Sequence, residues 1–252
     1  MPRTKKSVDP FWELQSLIAF CPLCLGHGYV LLPSGVSDRC SCLQAALYEL
    51  RLSNSGIPPG FRNLDFKNYI YKSSPTYTKA WSYVEQADKA VQNGTGLVLV
   101  GSTKAGKTLL AVSILKELMK RDYDCGFIQF GAMIGSLAKA EKFVDTDVDF
   151  SCIDDVDRVL NSISNFKSTN LTHEESHGVV QILESTIAKR SLYNLPTILT
   201  SSVSIMEIDK KFPSLGTMLL GNFLQIDCVS DDFRGSKAHE KLLREFGFDS
   251  VK

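Results

Sequence analysis

The chain has 252 residues, enough for one moderate domain with an appendage, and its 28 basic residues are balanced by 28 acidic residues. A net charge of zero excludes a protein that is drawn to nucleic acid by a global positive field, so any such contact has to be local. The sequence has no 18-residue apolar span, which excludes a transmembrane helix, and its seven cysteines argue against a purely disulfide framework, so we expect a cytosolic protein without a membrane partner.

Four cysteines form two close pairs near the N-terminus, in the sequences Cys21-Pro-Leu-Cys24 and Cys40-Ser-Cys42. This spacing is typical of a zinc site made of four thiolates, in which the metal replaces the core that so short a segment cannot build. Reduced structural thiols are the alternative, because Cys-x-Cys is less common than Cys-x-x-Cys as the second half of such a site. We predict one Zn²⁺ bound by Cys21, Cys24, Cys40 and Cys42, with His27 as an exposed loop residue.

Helices are predicted on both sides of the cysteine pairs, over residues 11–20 and 43–52. The first helix has an apolar face, which either docks another protein or packs onto the cysteine module. The breaker-rich segment 53–60 follows as a connection. A single helix is then predicted over 79–91, because the apolar residues at 80, 84, 87 and 91 share one face, and Asn93-Gly94 ends it.

The most informative stretch runs from Gly101 to Thr108 and matches the phosphate-binding pattern G-x-x-x-x-G-K-[ST]. The apolar run before it predicts a buried parallel strand, and the segment 109–120 after it predicts a helix. A strand, a glycine loop and a helix in this order direct backbone N–H groups at a phosphate. The alternative to a phosphate site is a chance glycine turn between a strand and a helix. The predicted ATP-binding residues of the loop are Gly101, Ser102, Thr103, Lys104, Ala105, Gly106, Lys107 and Thr108, with Lys107 on the phosphates and Thr108 on Mg²⁺.

These motifs, taken in order, resemble the DnaC/IstB group of AAA+ ATPases, which contains replicative helicase loaders and ATPase helpers of transposition. The resemblance rests on Cys-Pro-x-Cys-x-Gly-x-Gly, Cys-x-Cys, Ile-Pro-Pro-Gly-Phe-Arg-Asn-Leu, Gly-Leu-Val-Leu-Val-Gly and the phosphate loop. It implies an α/β P-loop NTPase (AAA+) fold, a parallel sheet with flanking helices, plus a small N-terminal zinc-binding module. We accordingly expect a zinc-binding and partner-docking module at 1–52, a linker at 53–76 and an AAA+ ATPase domain with a short C-terminal helix at 77–252.

Two acidic residues follow a predicted strand at 149–153, after an earlier strand at 124–130. A carboxylate at the carboxyl end of a parallel strand beside a phosphate loop is well placed to hold Mg²⁺, so we assign Asp154 to the metal. The resemblance implies that Asp155 is the acid that orients the attacking water. An acidic turn at a strand end is the alternative for the pair. A polar loop is expected at 161–175 and a helix at 176–193.

The resemblance also assigns roles toward the C-terminus. Ser202 stands where the family has its sensor Asn, and Asn222 stands where it has an arginine finger, which implies slow hydrolysis or an arginine from elsewhere. Arg234, in a segment that resembles Gly-x-Asp-x-Arg, is expected to sense the γ-phosphate, with a solvated surface arginine as the alternative. Arg190 is expected to cap its helix or to face a neighbouring subunit.

The function implied is ATP-dependent loading of a replicative DNA helicase onto single-stranded DNA during DNA replication. ATP, Mg²⁺ and Zn²⁺ are the expected cofactors, and hydrolysis is expected to be weak or stimulated by a partner. The expected partners are the helicase, single-stranded DNA and further copies of the chain in the ATP-bound state. The alternatives are a transposition helper ATPase of the IstB kind and a non-hydrolysing nucleotide-gated adaptor, which Asn222 and Ser202 favour.

Overall fold

The structure is a computed structural model that describes residues 10–69, 72–134, 147–158, 160 and 173–228. Its helices and strands, in chain order, are α1 (Pro10–Ile18), β1 (Tyr29–Leu31), β2 (Ser37–Arg39), α2 (Ser41–Asn54), α3 (Pro75–Glu85), α4 (Ala87–Asn93), β3 (Gly96–Val100), α5 (Lys107–Lys120), β4 (Cys125–Gln129), α6 (Phe130–Ile134), β5 (Phe150–Asp154), α7 (His173–Leu192), β6 (Thr197–Ser201), α8 (Ile205–Lys211), α9 (Pro213–Asn222) and β7 (Phe223–Asp227). None of the described helices is long and apolar enough to cross a membrane.

Five parallel strands form the central sheet in the order β4-β5-β6-β3-β7. Helices cover both faces, so the central strands β3 and β6 are buried at every position. Leu97 and Leu99 point into a core shared with α3, α4 and α5, whereas Val98 and Val100 point into a second core shared with α7, α8 and α9. The predicted fold class, a parallel sheet between two helical layers with a small N-terminal module, is confirmed.

The carboxyl ends of all five strands meet at one edge of the sheet. β6 lies between β3, which leads into the phosphate loop, and β5, which ends in the acidic pair. The register pairs Leu99 with Thr200 across β3 and β6, and Ile153 with Leu199 across β5 and β6. β6 is therefore the strand that separates the phosphate loop from the acidic residues.

The predicted helix over 79–91 is two helices. α3 ends at Glu85 and α4 begins at Ala87, because Gln86 between them has φ −99° and ψ 25° and its side-chain amide donates to Ser82 Oγ at 2.8 Å. The apolar face was predicted correctly, since residues 80, 84 and 87 are buried and 91 is half-buried. The predicted start of the helix at 176 was also wrong, because α7 begins at His173, inside the segment expected to be a loop.

Residues 55–69, within the stretch expected to be a linker, pack against the sheet and α5. Ile57, Phe66 and Tyr69 are buried in the α3–α5 core. The carbonyl oxygen of Ser55 accepts the N–H of Phe127 at 2.6 Å, at the outer edge of β4. This stretch therefore contributes to the core around the central sheet, while the division at 52 and 76 stays a prediction.

Candidate functional site

The phosphate loop connects β3 to α5 and has the backbone that the motif requires. A Cβ atom at Gly101 would lie 2.5 Å from the carbonyl oxygen of Cys228, so a side chain does not fit there. Gly106 has φ 80° and caps the N-terminus of α5, a conformation that disfavours other residues. Gly101 N–H donates to Ser201 O at 3.1 Å, which attaches the loop to β6. The start of α5 thus presents unpaired backbone N–H groups, as a phosphate site requires.

Lys107 is 7% exposed, and its ammonium lies within the loop rather than in solvent. Its Nζ donates to the carbonyl oxygens of Gly101 at 2.7 Å and Ser102 at 2.9 Å. The next residue, Thr108, lies with Oγ1 3.0 and 3.3 Å from the two carboxylate oxygens of Asp154. The structure therefore brings the expected Mg²⁺ ligands Thr108 and Asp154 into contact, beside the expected phosphate-binding lysine.

Asp154 is buried at the carboxyl end of β5, and Thr200 Oγ1 donates to its Oδ1 at 2.7 Å. Burial raises the pKa of Asp154, while the hydrogen bonds from Thr200 and Thr108 lower it. Asp155 follows with φ 60°, in the left-handed region, and its N–H donates to Thr200 Oγ1 at 2.9 Å. The acidic pair thus lies at the expected sheet edge, and both of its members bond to one threonine hydroxyl.

This donor set fits Mg²⁺ and a nucleotide triphosphate. A hydroxyl and a carboxylate oxygen are ligands that Mg²⁺ prefers, and the ion would supply positive charge that offsets the charge of the phosphates. Thr108 and Asp154 would hold the ion. Lys107 and the N-terminus of α5 would hold the phosphates, which requires the Lys107 ammonium to exchange its present carbonyl partners for phosphate oxygens.

The other expected residues of this site are placed differently. The N–H of Ser202 donates to Asp157 Oδ1 at 2.8 Å, and its hydroxyl donates to the same carboxylate, so the position of the sensor is tied to a buried acid. Asn222 is the exposed last residue of α9. Arg234 lies outside the described residues.

Arg190 neither caps its helix nor faces a neighbouring subunit, which corrects both expectations. It is 1% exposed, and its guanidinium donates to Thr197 Oγ1 at 3.0 Å, to Pro196 O at 3.0 Å and to Asp149 O at 3.1 Å. These partners lie at the amino ends of β5 and β6, the edge of the sheet opposite the phosphate loop. A buried guanidinium needs several acceptors, and the backbone supplies them here, so Arg190 is a structural residue.

The four cysteines expected to bind zinc form one cluster, with all four Sγ atoms within 4.8 Å of one another. Cys21 and Cys40 have their Sγ atoms 3.7 Å apart, and those of Cys24 and Cys42 are 3.4 Å apart. A zinc–sulfur bond of about 2.3 Å in a tetrahedron gives sulfur separations of about 3.8 Å, so the cluster fits Zn²⁺. Backbone N–H groups of Cys24 and Leu23 lower the pKa of Cys21 to about 6, whereas burial and the neighbouring thiols raise the pKa of Cys42, so the cluster without a metal favours the thiolate at Cys21 and not at Cys42. Bound zinc would cross-link the module.

α1 packs onto this module, as one of the two alternatives predicts. Ile18 is buried, and its Cδ1 would lie 3.3 Å from a Cβ atom at Gly28, in the loop between the cysteine pairs. The module nevertheless exposes much apolar surface. Eight of the 13 exposed large apolar side chains among the described residues lie between 17 and 36: Leu17, Phe20, Leu23, Leu25, Tyr29, Leu31, Leu32 and Val36, together called the apolar surface of the module. His27 is exposed, as expected.

Ion pairs join the module to the end of α5. Arg39, next to Cys40, lies 2.6 Å from Asp122, and Arg51 of α2 lies 2.9 Å from Asp122 and 3.1 Å from Asp124. Both aspartates follow α5 directly, since that helix ends at Lys120. The helix that begins at the phosphate loop therefore ends at the contact with the cysteine module.

The sequence reasoning missed Thr200, Asp157 and Lys116, which are all buried. Thr200 lies on β6 two residues before Ser202, which follows the end of that strand, so a polar residue near the carboxyl end of this strand was the available signal. Asp157 is the third acid of the run 154–157, where only two were assigned. The remaining cysteines, Cys125, Cys152 and Cys228, are buried as expected, and burial raises the pKa of each thiol.

No protein-family model and no curated protein sequence matches the chain. Among solved structures, DnaI matches with a TM-score of 0.55 at 17% identity, over 73% of this chain and 99% of that one. The DnaC helicase loader matches with a TM-score of 0.50 at 16% identity, over 68% of this chain and 100% of that one. The replication initiator DnaA bound to AMPPCP and single-stranded DNA matches with a TM-score of 0.51 at 20% identity, over 77% and 58%. The likeness shows the fold, which this chain shares with DnaI, the DnaC helicase loader and DnaA and which agrees with the fold that the sequence resemblance implies.

Proposed function

We propose that the protein is an ATP-dependent loader of a replicative DNA helicase onto single-stranded DNA. The observation that carries this proposal is the meeting of Lys107, Thr108 and Asp154 at the carboxyl edge of the sheet. A site of this composition binds Mg²⁺ and ATP, and the chain shares its fold with the DnaC helicase loader. ATP binding would order the interface between copies of the chain, with single-stranded DNA along the assembly.

The helicase would dock on the N-terminal module. Many exposed apolar side chains on a small module are typical of a protein-binding site, and eight of the 13 exposed large apolar side chains among the described residues belong to the apolar surface of the module. Phe20 follows the end of α1 and is 96% exposed. Its ring makes few contacts in the unbound protein, so a partner could bury a large apolar side chain there without breaking existing contacts. Zinc held by the four cysteines would keep the surface folded.

The experiment measures retention of candidate replicative helicases on single-stranded DNA beads by the purified full chain, with ATP and without nucleotide. We expect retention with ATP, and its loss in Phe20→Asp and in Lys107→Met. Leu192→Asp is the matched control, because Leu192 is 80% exposed on α7, remote in sequence from the module. Equal retention with and without ATP, or retention by Phe20→Asp equal to that of Leu192→Asp, would contradict the proposal.

A non-hydrolysing nucleotide-gated adaptor is the second candidate. It is favoured by Ser202, whose hydroxyl is bound to Asp157, and by Asn222 in place of an arginine finger. Steady-state ATP turnover with and without single-stranded DNA separates the two, since the adaptor binds ATP without turning it over. A transposition helper of the IstB kind would retain a transposase instead of a helicase in the same bead assay.

A further inference from the structure

The strand that separates the phosphate loop from the acidic pair carries one polar side chain aimed at both acids. Thr200 is fully buried on β6, at the position paired with Leu99 of β3. A hydroxyl in such a place has to find partners inside the protein, because no water reaches it. The partners of the hydroxyl therefore indicate its role in the site.

Both capacities of the Thr200 hydroxyl are used on neighbouring residues of one turn. Its oxygen donates to Asp154 Oδ1 at 2.7 Å and accepts the backbone N–H of Asp155 at 2.9 Å. The directions of both bonds are fixed, since a carboxylate only accepts and a backbone N–H only donates. One hydroxyl thus orients the carboxylate of Asp154 and the backbone of Asp155 at the same time.

The second of these bonds holds an unfavourable conformation. Asp155 has φ 60°, in a region that residues with a side chain seldom occupy and that persists only where the surroundings impose it. The bond from its N–H to Thr200 stabilises the turn where the chain leaves β5, and with it the backbone position from which the Asp155 side chain projects. On the other side, Thr108 of α5 contacts the same Asp154 carboxylate at 3.0 Å.

We infer that Thr200 is the positioning residue of this site, which sets the Asp154–Asp155 pair in the geometry that binds Mg²⁺ and orients water. The inference rests on the proposed nucleotide site and goes beyond it. Ser202, the residue in the sensor position, donates its hydroxyl to Asp157, so the positioning role passes to Thr200. Thr200 does not touch the phosphates. It acts through the two acids, so its loss should change the contribution of Mg²⁺ and leave nucleotide binding by the loop intact.

The test compares Thr200→Val, which keeps the shape and removes the hydroxyl, with Thr200→Ser, which keeps the hydroxyl. Affinity for a fluorescent ATP analogue is measured with Mg²⁺ and with EDTA, alongside ATP turnover and the thermal unfolding of the nucleotide-free chain. Thr197→Val is the matched control, since Thr197 is a buried threonine on the same strand whose hydroxyl bonds to Arg190 instead.

We expect Thr200→Val to bind the ATP analogue in EDTA with the affinity of the wild type. The gain, which is the ratio of the affinity in Mg²⁺ to the affinity in EDTA, should be smaller than that of the wild type by about tenfold or more. Thr200→Ser should stay close to the wild type in that gain, and so should Thr197→Val. If Thr200→Val does not fold, Thr200→Ser is compared with Thr200→Cys, which is similar in size and has a weak donor; only the cysteine variant should then lose the gain.

A wild-type gain that persists in Thr200→Val, or in the cysteine variant, overturns the positioning role and leaves the nucleotide site standing. A wild type that binds the analogue with no gain from Mg²⁺ overturns both the positioning role and the metal assignment of Asp154. A wild type that binds no nucleotide at all contradicts the proposed function itself, and the inference with it.

Discussion

The ammonium of Lys107 already has partners before any nucleotide arrives. Its bonds to the carbonyl oxygens of Gly101 and Ser102 keep the phosphate loop closed around a positive charge. The charge is nearly buried, so folding has already removed most of the water around the ammonium. Binding of ATP therefore requires little further desolvation of Lys107. A phosphate that enters the loop replaces two neutral acceptors with charged ones, which strengthens each bond.

Lys107→Met should therefore lower ATP affinity by about tenfold or more, because charge-assisted bonds to phosphate are lost. A small loss of thermal stability should accompany it, since two loop carbonyls lose their donor. Isothermal titration with ATP and a thermal melt check both effects. Lys120→Met is the control: Lys120 is exposed at the other end of α5, paired with Glu117, and should leave affinity unchanged.

At the scale of elements, α5 is joined to the stretch before α3 by a buried lysine. Lys116 Nζ donates to the carbonyl oxygens of Phe61 at 3.0 Å and Leu64 at 2.7 Å, and also to that of Arg62. Burial lowers the pKa of Lys116, while the nearby carboxylate of Asp65 raises it. Three convergent carbonyls hold a segment that has no regular strand or long helix of its own.

Lys116→Met should destabilise the fold by about 1–3 kcal/mol, because it leaves buried carbonyl oxygens without a donor. Urea unfolding measures the loss. Lys89→Met on α4 serves as the reference substitution, since Lys89 is exposed. A Lys116→Met variant as stable as Lys89→Met would mean that the three bonds of Lys116 do not stabilise the fold.

The cysteine cluster should contain about one zinc per chain in freshly purified protein. Because the module has few buried apolar residues of its own, Cys21→Ser should abolish zinc binding and helicase retention while ATP binding persists. Elemental analysis and the ATP titration check the two halves of this prediction. Cys125→Ser is the control, since Cys125 is a buried thiol of β4 that lies outside the cluster. A full complement of zinc in Cys21→Ser would rule out the four-thiolate site.

Motifs set by local spacing were predictable, and contacts between distant elements were not. The phosphate loop, Asp154 and the cysteine pairs each depend on a few consecutive residues, and the structure places each group where the spacing indicates. Arg190 and Thr200 bond to residues that are distant in the sequence or that approach them only in the folded sheet. The spacing of apolar residues along one helix or strand carries no information about such partners. The break at Gln86 was missed for a related reason, since both helices keep one continuous apolar face.

At the scale of the whole molecule, Asn222 stands where the resembled family has an arginine finger that acts on a neighbouring copy. Asn222→Arg should raise ATP turnover in the assembled state, because a positive charge at the γ-phosphate stabilises the transition state. Gly221→Arg is the matched control: residue 221 is exposed beside it, and a Cβ there meets no atom within 4 Å. Turnover per site at saturating ATP decides between them, and an equal rise in both variants would point to a general effect of added charge.

α5 spans 14 residues, about 21 Å, from the phosphate loop to the aspartates that pair with Arg39 and Arg51. In the proposed function, ATP and the helicase would therefore bind at opposite ends of this helix. Thermodynamic linkage then imposes a symmetry: whatever factor ATP applies to the helicase affinity of the module, the helicase applies the same factor to ATP. In the proposed function, a helicase that tightens ATP binding would thus be bound more tightly as the ATP concentration rises.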